Sequence, residues 1–171
     1  MNRLYVIEGA DGTGKSTLSK ELLEETKGHL LHGTYDKEWD IPSYHRSMFN
    51  AALQLLQYQD VFLDRWAVSE EVYSNAFRNG AKYSADQWML EQLESEGMKP
   101  EDVTFIYCEN DNAVENHQAN KEIRTEMFED MSPVVREYTA YMGRTALNWV
   151  RYDFTKVDMH QFVKDIAKDE K

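Results

Sequence analysis

The feature that most constrains the fold is a short apolar run followed directly by a glycine-rich segment near residue 10. Residues 4–8 have the sequence LYVIE, and the segment from Gly9 to Thr17 has the sequence GADGTGKST. A glycine, four further residues and then Gly-Lys-Ser is the pattern of a loop that binds phosphates between a strand and a helix. Backbone N–H groups of such a loop, together with the N-terminus of the helix, attract anions. The pattern therefore predicts a strand, a phosphate-binding loop (residues 9–17) and a helix, in that order.

Each residue type in this loop has a role that the chemistry of phosphate binding predicts. The glycines let the backbone bend around phosphate oxygens without a Cβ in the way. Lys15 is expected to contact the β- and γ-phosphates of a nucleotide, and the hydroxyl of Ser16 is expected to bind Mg²⁺. A plain glycine turn before a helix is the alternative, and the flanking strand and helix patterns disfavour it. The predicted nucleotide-binding residues are Gly9, Asp11, Gly12, Thr13, Gly14, Lys15, Ser16 and Thr17.

Length and charge limit the classes of protein to which the chain can belong. Its 171 residues predict one compact domain spanning residues 1–171. The net charge of −12 argues against a broad nucleic-acid surface, which needs a basic face, but allows a local cationic pocket. The single cysteine, Cys108, lies in an apolar run and is expected to be a buried thiol in a reducing compartment. With no signal peptide and no membrane-spanning run, a cytoplasmic protein is expected.

Apolar runs and helical patterns alternate along the rest of the chain. The helix after the phosphate-binding loop is expected to run to about Lys27, with Gly28 as its cap. Alternating strands and helices predict an α/β fold, in which a parallel sheet carries helices on both faces. The strand candidates are residues 4–8, 29–32, 61–64, 103–108 and 149–152.

A second group of polar residues follows the strand candidate at 61–64. This buried run ends in Asp64, and Arg65 comes directly after it. A carboxylate at the carboxyl end of a parallel strand is suited to bind Mg²⁺ or to accept a proton. The planar guanidinium of Arg65 is suited to clamp a phosphate. An ion pair between the two residues is the structural alternative, and the phosphate-binding loop favours the functional interpretation.

Aromatic residues and two histidines lie near the second strand candidate. His29 and His32 bound this strand, and without a cysteine or acid cluster beside them a structural role is favoured over a metal site. The loop that follows contains Tyr35 and Trp39 and leaves the carboxyl end of the sheet, where ligands bind in open α/β folds. Two interpretations stay open: these rings line a base pocket, or they pack the loop onto the surface.

Residues 109–131 form the most polar stretch of the chain. They include Lys121 and Arg124 and few apolar residues. A polar segment after a core strand is typical of a lid that closes over a bound nucleotide, and we place this lid at residues 112–131. A solvated helical hairpin fits the composition equally well.

Two of these motifs resemble the thymidylate kinase group of P-loop nucleoside and nucleotide kinases. Residues 8–17 closely match the group's loop motif. Asp64 and Arg65 match its Asp-Arg pair, with Ser69 and Tyr73 at the group's spacing. The later segments are similar in order: Arg124 resembles the lid arginine, and the strand, loop and helix near the end resemble the adenine-side ending.

The resemblance implies a five-stranded P-loop kinase fold with a small helical lid. The implied reaction is γ-phosphoryl transfer from ATP to a nucleoside 5′-monophosphate with Mg²⁺, a thymidylate-like acceptor being favoured. The implied catalytic residues are Lys15, Asp64, Arg65 and Arg124, and the implied metal ligands are Ser16 and Asp64. The candidates for substrate binding are the loop aromatics Tyr35 and Trp39, together with Arg65, Ser69 and Tyr73.

The sequence departs from the group's pattern at three places. Gly12 occupies the position at which one subgroup has an arginine, so the lid is expected to supply that charge. Ser74 stands where thymidylate kinases usually have glutamine, and residues 115–120 replace an arginine-rich run. These changes fall on the base pocket and the lid, which leaves base specificity open.

Other functions are compatible with the same motifs. A deoxynucleoside kinase would use Asp64 as the base toward a 5′-hydroxyl, and a nucleotide-binding module would keep the loop without turnover. A nucleic-acid end kinase is disfavoured by the acidic charge. Because members of the group are commonly dimers, a homodimer is also compatible.

Overall fold

Five parallel strands form the central sheet of the computed structural model, which describes residues 1–119 and 130–168. Their order across the sheet is β2-β3-β1-β4-β5, and every pairing is parallel. The α/β fold and its five-stranded parallel sheet are therefore as predicted. The strands are β1 (Leu4–Glu8), β2 (His29–His32), β3 (Val61–Asp64), β4 (Val103–Cys108) and β5 (Trp149–Tyr152).

Seven α-helices lie within the described residues. They are α1 (Lys15–Thr26), α2 (Ile41–Leu55), α3 (Ala67–Phe77), α4 (Ala85–Ser95), α5 (Ala113–Ala119), α6 (Ser132–Arg144) and α7 (Met159–Lys168). None of these helices has the length and apolar character needed to cross a membrane. The predicted lid begins with α5, but residues 120–129, including Lys121 and Arg124, lie outside the described residues.

Helices cover both faces of the sheet because successive side chains of a strand point to opposite sides. Leu4 and Val6 of β1 belong to a buried cluster with side chains from α2, α3, α4 and α6. Tyr5 and Ile7 pack on the other face with side chains from α1 and α7. Full burial of one such side chain contributes about 1.5–3 kcal/mol to stability. β1, buried on both faces, is therefore a fixed support for the loop at its end.

The carboxyl ends of β1, β2 and β3 meet at one edge of the sheet. Asp64 at the end of β3 lies opposite Ile7 of β1 on one side and opposite His32 of β2 on the other. β1 lies at the centre of the strand order, where the chain crosses from one half of the sheet to the other. In open α/β sheets, ligands bind beyond the carboxyl ends of the strands at such a crossing.

The end of α1 differs from the prediction. The helix ends at Thr26, and the residue that takes the left-handed conformation is Lys27, with φ 58°, rather than Gly28. Gly28 is needed for a different reason. A Cβ on Gly28 would lie 2.7 Å from the ring of Phe62 and 2.9 Å from the carbonyl oxygen of Asp60. The glycine therefore lets the turn approach β3 closely.

Candidate active site

The phosphate-binding loop leaves β1 and leads directly into α1, as predicted. Gly14 caps the helix in the left-handed conformation, with φ 80°, which glycine adopts without strain. The hydroxyl of Thr13 donates a hydrogen bond to the carbonyl oxygen of Ala10 at 2.6 Å and so closes the loop on itself. The N-terminus of α1 is then directed at the space that the loop surrounds, where its dipole favours an anion.

Lys15 is the first residue of α1, and only 7% of its surface is exposed. Burial lowers the pKa of its ammonium and the charge of Arg65 lowers it further, whereas the carboxylates of Asp64 and Asp11 raise it. Lys15 and Arg65 are thus two cations that repel each other at the edge of the sheet. An anion bound between them would relieve this repulsion, as expected for a site that holds phosphates.

Arg65 is held in place by neighbours on two sides. One guanidinium nitrogen donates to Asp11 Oδ1 at 2.5 Å, and another donates to the hydroxyl of Tyr73 at 2.8 Å. The backbone of Arg65 has φ 67°, a left-handed conformation that costs a non-glycine residue on the order of 1 kcal/mol. Its N–H still donates to the carbonyl oxygen of Ile7 at 3.0 Å. The guanidinium is therefore positioned by the protein itself.

Asp64 and His32 form a pair that the sequence analysis did not assign to the site. His32 Nδ1 lies 2.9 Å from Asp64 Oδ2. Burial acts to raise the pKa of Asp64, but the hydrogen bond from His32 and the charge of Lys15 outweigh it and lower that pKa. Asp64 Oδ1 is buried and has no hydrogen-bond partner among the described residues. One oxygen of this carboxylate is thus fixed by His32, while the other is buried with unused acceptor capacity.

The expected metal ligands are consistent with Mg²⁺. Among the described residues there is no group of three or more His, Cys, Asp or Glu side chains that could hold a metal ion. Mg²⁺ does not need one, because it is usually bound by one or two carboxylates, by water and by the phosphates of a substrate. The hydroxyl of Ser16 and the carboxylate of Asp64 supply oxygen atoms of the kind that Mg²⁺ prefers, and both residues line the same cavity.

Two cavities meet at the phosphate-binding loop. The loop cavity has a volume of about 320 Å³, and the α3 cavity has a volume of about 500 Å³. Both are lined by Asp11, Lys15 and Ser16. The loop cavity is completed by Gly12, Gly14, Thr17, Asn116 and Phe154. The walls of the α3 cavity include His32, Tyr35, Asp64, Arg65, Ser69 and Tyr73. The arrangement can hold two phosphorylated ligands with their phosphates adjacent.

Three predicted site residues do not line either cavity. Gly9 and Thr13 shape the loop instead, and Trp39 is 46% exposed and packs against Tyr44 with 4.8 Å between ring centres. Ser69 does line the α3 cavity, but its hydroxyl is already engaged as a donor to Glu8. The predicted catalytic residue Arg124 lies outside the described residues.

Gly12 packs against α5 so closely that no side chain fits there. A Cβ on Gly12 would lie 2.2 Å from the carbonyl oxygen of Ala113 and 2.9 Å from the backbone nitrogen of His117. Asn116 Nδ2 also donates to the carbonyl oxygen of Gly12 at 3.1 Å. The position of α5 therefore leaves no space for an arginine at position 12.

Glu8 is a structural part of the site that sequence reasoning missed. It is fully buried at the end of β1 and accepts hydrogen bonds from the backbone N–H groups of Trp66 and Ser69, at 2.7 and 3.2 Å. The hydroxyls of Ser69 and Tyr138 donate to its second oxygen at 2.6 and 2.9 Å. Burial raises the pKa of Glu8, while the donors of Ser69 and Trp66 oppose that rise. The carboxylate joins β1 to α3 and α6.

The buried imidazole of His45, in the wall of the α3 cavity, predicts an acid-dependent loss of stability. Burial lowers its pKa from 6.5 to about 4. The unfolded chain therefore binds a proton more readily than the folded chain, and stability is lost as the pH falls from 6.5 toward 4. Replacing His45 by asparagine should reduce the drop in unfolding free energy over this range by about 2–3 kcal/mol, measured by urea denaturation. A His29→Asn variant, changed at an exposed position, should keep the native profile; equal profiles for all three proteins would contradict the prediction.

Comparisons with known proteins support the fold. No protein-family model and no curated protein matches the chain. Among solved structures, the YorR protein from Bacillus subtilis, in complex with phosphorylated GDP, is 19% identical with a TM-score of 0.67. The match covers 96% of this chain and 94% of that one. A deoxyadenosine kinase from M. mycoides, with the products dCMP and a flexible dCDP bound, is 15% identical with a TM-score of 0.54 and 97% of each chain covered. The chain thus has a fold found in P-loop kinases.

Proposed function

We propose that the chain is an ATP-dependent kinase that phosphorylates a nucleoside 5′-monophosphate, giving the diphosphate and ADP. The observation that carries this proposal is the meeting of two cavities at Asp11, Lys15 and Ser16. ATP would occupy the loop cavity, with its base toward Phe154, and the acceptor would lie along α3 with its phosphate at Arg65. The two structures of similar fold, which contain nucleotides, are consistent with this assignment.

The charged side chains have separate roles in the proposed reaction. An oxygen of the acceptor phosphate attacks the γ-phosphorus of ATP, and the bond from that phosphorus to the bridging oxygen of ADP breaks. Lys15 stabilises negative charge on the transferring group, and Arg65 holds the acceptor phosphate in line. Asp64, oriented by His32, would position the acceptor or a water bound to the metal ion. Mg²⁺, held by Ser16, Asp64 and the phosphates, would supply further neutralisation of charge.

A cation from the lid completes the proposed site. Since Gly12 has no room for a side chain, the charge that some related kinases place in the loop has to come from elsewhere. We assign that role to Arg124, in the proposed lid at residues 112–131, so that the charge arrives when ATP is bound.

A deoxynucleoside kinase is the second candidate, and one observation favours it. Asp64 has one oxygen fixed by His32, while the other is buried and without a hydrogen-bond partner among the described residues. A carboxylate in this state could accept the proton of a 5′-hydroxyl.

Measurement of ADP release with a panel of nucleosides and their monophosphates, with identification of the products, tests the proposal. Phosphorylation of at least one monophosphate is expected. Turnover of nucleosides but of no monophosphate would contradict the lead proposal in favour of the second candidate. ATP binding with no acceptor phosphorylated would indicate a nucleotide-binding module without turnover.

Replacing Arg65 by alanine should raise the KM for the monophosphate by about 10- to 100-fold, because a charge-assisted bond to the acceptor phosphate is lost. The kcat should change less, since the ATP phosphates are held elsewhere. Arg151→Ala is the matched control, because Arg151 is half exposed and pairs with Glu109 outside both cavities. A large fall in kcat with an unchanged KM would show instead that Arg65 only orders the site.

A further inference from the structure

We infer that the α3 cavity selects an acceptor base that carries an exocyclic amino group, and that Glu70 recognises this group. Guanine, adenine and cytosine have such a group, whereas thymine and uracil do not. The inference rests on the proposed function for the position of the acceptor phosphate. The inference goes beyond the proposed function by naming the class of base. That class excludes the thymidylate-like acceptor that the sequence resemblance favours.

The position of Glu70 follows from the direction of α3. Lys15, Asp64 and Arg65 mark the phosphate end of the cavity, and α3 runs away from Arg65 along the cavity wall. Glu70 and Arg78 are about 12 Å apart along the helix axis, at 1.5 Å per residue, and their side chains meet between these positions. The cavity wall also includes the aromatic rings of Tyr35 and Phe77. A nucleotide with its phosphate at Arg65 would therefore have its base beside Glu70.

Glu70 is held by two neighbours that fix its carboxylate. Ser74 donates its hydroxyl to Glu70 Oε1 at 2.8 Å, and Arg78 donates to Glu70 Oε2 at 3.0 Å. The guanidinium of Arg78 in turn stacks on the ring of Tyr35, 3.9 Å from its centre. An ionised carboxylate has about four acceptor sites, so these two bonds leave acceptor capacity on the cavity side. Ser74, at the position where the resembled group usually has glutamine, thus holds the carboxylate of Glu70.

A carboxylate at this place discriminates between bases by charge and by hydrogen bonding. It can only accept, so the base edge that faces it has to donate. An exocyclic amino group provides such a donor, and carboxylates are the usual partners of the cytosine amino group in nucleic-acid recognition. Thymine and uracil have one N–H between two carbonyl oxygens, and these oxygens would face the negative charge. The guanidinium of Arg78, beside Glu70, can donate a hydrogen bond to the acceptor atom that lies next to the amino group in the three amino bases.

The wild-type chain with ATP and a panel of dGMP, dAMP, dCMP, dTMP and dUMP tests the inference. We expect kcat/KM for at least one amino-bearing monophosphate to exceed that for dTMP and dUMP by about 100-fold or more, because an unpaired buried polar group strongly disfavours the wrong ligand. Highest activity with dTMP or dUMP would overturn the inference and leave the proposed function intact. If only nucleosides are phosphorylated, the proposed function fails, and the same ranking among nucleosides still tests the base.

A Glu70→Gln variant tests the assigned residue. The amide can donate to a carbonyl oxygen, so the preference for the amino base over thymine should fall by about 10-fold or more. Glu91→Gln, at an exposed position on α4, should leave the preference unchanged. An unchanged preference in a folded Glu70→Gln protein would overturn the role of Glu70. If that variant does not fold or nothing turns over, the shift in Tm of the wild-type chain with each monophosphate gives the ranking. The largest shift for dTMP or dUMP would count against the inference.

Discussion

Replacing Lys15 by alanine should reduce kcat/KM for ATP by about 10³-fold. The ammonium is nearly buried at the first residue of α1, in the wall of both cavities, so it is pre-positioned for the charge that develops on the transferring phosphoryl group. Loss of one such pre-positioned group typically costs a factor of about 10²–10³. The measurement is ADP release at varied ATP, with the best acceptor held at saturation.

The same helix offers a matched control for this prediction. The side chain of Lys20 is 75% exposed and lies 3.9 Å from Glu24, one turn further along the exposed face of α1. Lys20→Ala removes the same charge and the same number of atoms outside the site, and should keep nearly native activity. Comparable activity in the Lys15 and Lys20 variants, both shown to be folded, would exclude a catalytic role for the phosphate-binding loop.

Replacing Glu8 by glutamine should lower the free energy of unfolding by about 2–4 kcal/mol, measured by urea denaturation. All four hydrogen bonds to this buried carboxylate are donated to it, from Trp66, Ser69 and Tyr138. The NH₂ group of the amide would face at least one of these donors, and that donor would lose its acceptor. Hydrogen bonds to charged groups contribute about 1.5–3 kcal/mol each, and an unpaired buried donor adds to the loss.

Glu24→Gln controls for the change of chemistry alone, because that side chain is mostly exposed and its ion pair with Lys20 is a surface pair. Surface pairs of this kind contribute at most about 1 kcal/mol. If the Glu8 variant loses no more stability than the Glu24 variant, the donors find other partners and the carboxylate does not join β1 to α3 and α6.

The parts of the fold that the sequence predicted are those encoded by neighbouring residues. The run ending at Glu8, the glycines of the loop and the Lys15-Ser16 pair are contiguous, so one pattern specifies strand, loop and helix together. The uninterrupted apolar runs at residues 61–64 and 103–108 indicated strands covered on both faces, which implied a parallel sheet. These local signals were sufficient for the α/β class and the parallel sheet, but they did not specify the order of the strands.

The parts that were not predicted depend on which strands and helices are neighbours. His32 was interpreted as structural because no cysteine or acid cluster lies beside it in sequence, yet pairing of β2 with β3 brings it to Asp64. Glu8 was counted only as a motif residue, because its donors come from residues 58 to 130 positions away. Trp39 was predicted to be near the site, because its loop starts at the carboxyl edge of the sheet. Its ring packs against Tyr44 instead and does not line the cavity.

The tight fit between Gly12 and α5 limits which segments proteins of this fold could exchange. Because the carbonyl oxygen of Ala113 and the backbone of His117 occupy the space beside Gly12, the loop and α5 are complementary surfaces. A segment transplanted from another protein of this fold would fit here only if its helix left the same space empty. Conversely, an arginine could enter the loop only together with a displaced α5. The residue at position 12 and the segment 113–117 therefore have to change together, because changing only one of them would disrupt their contact.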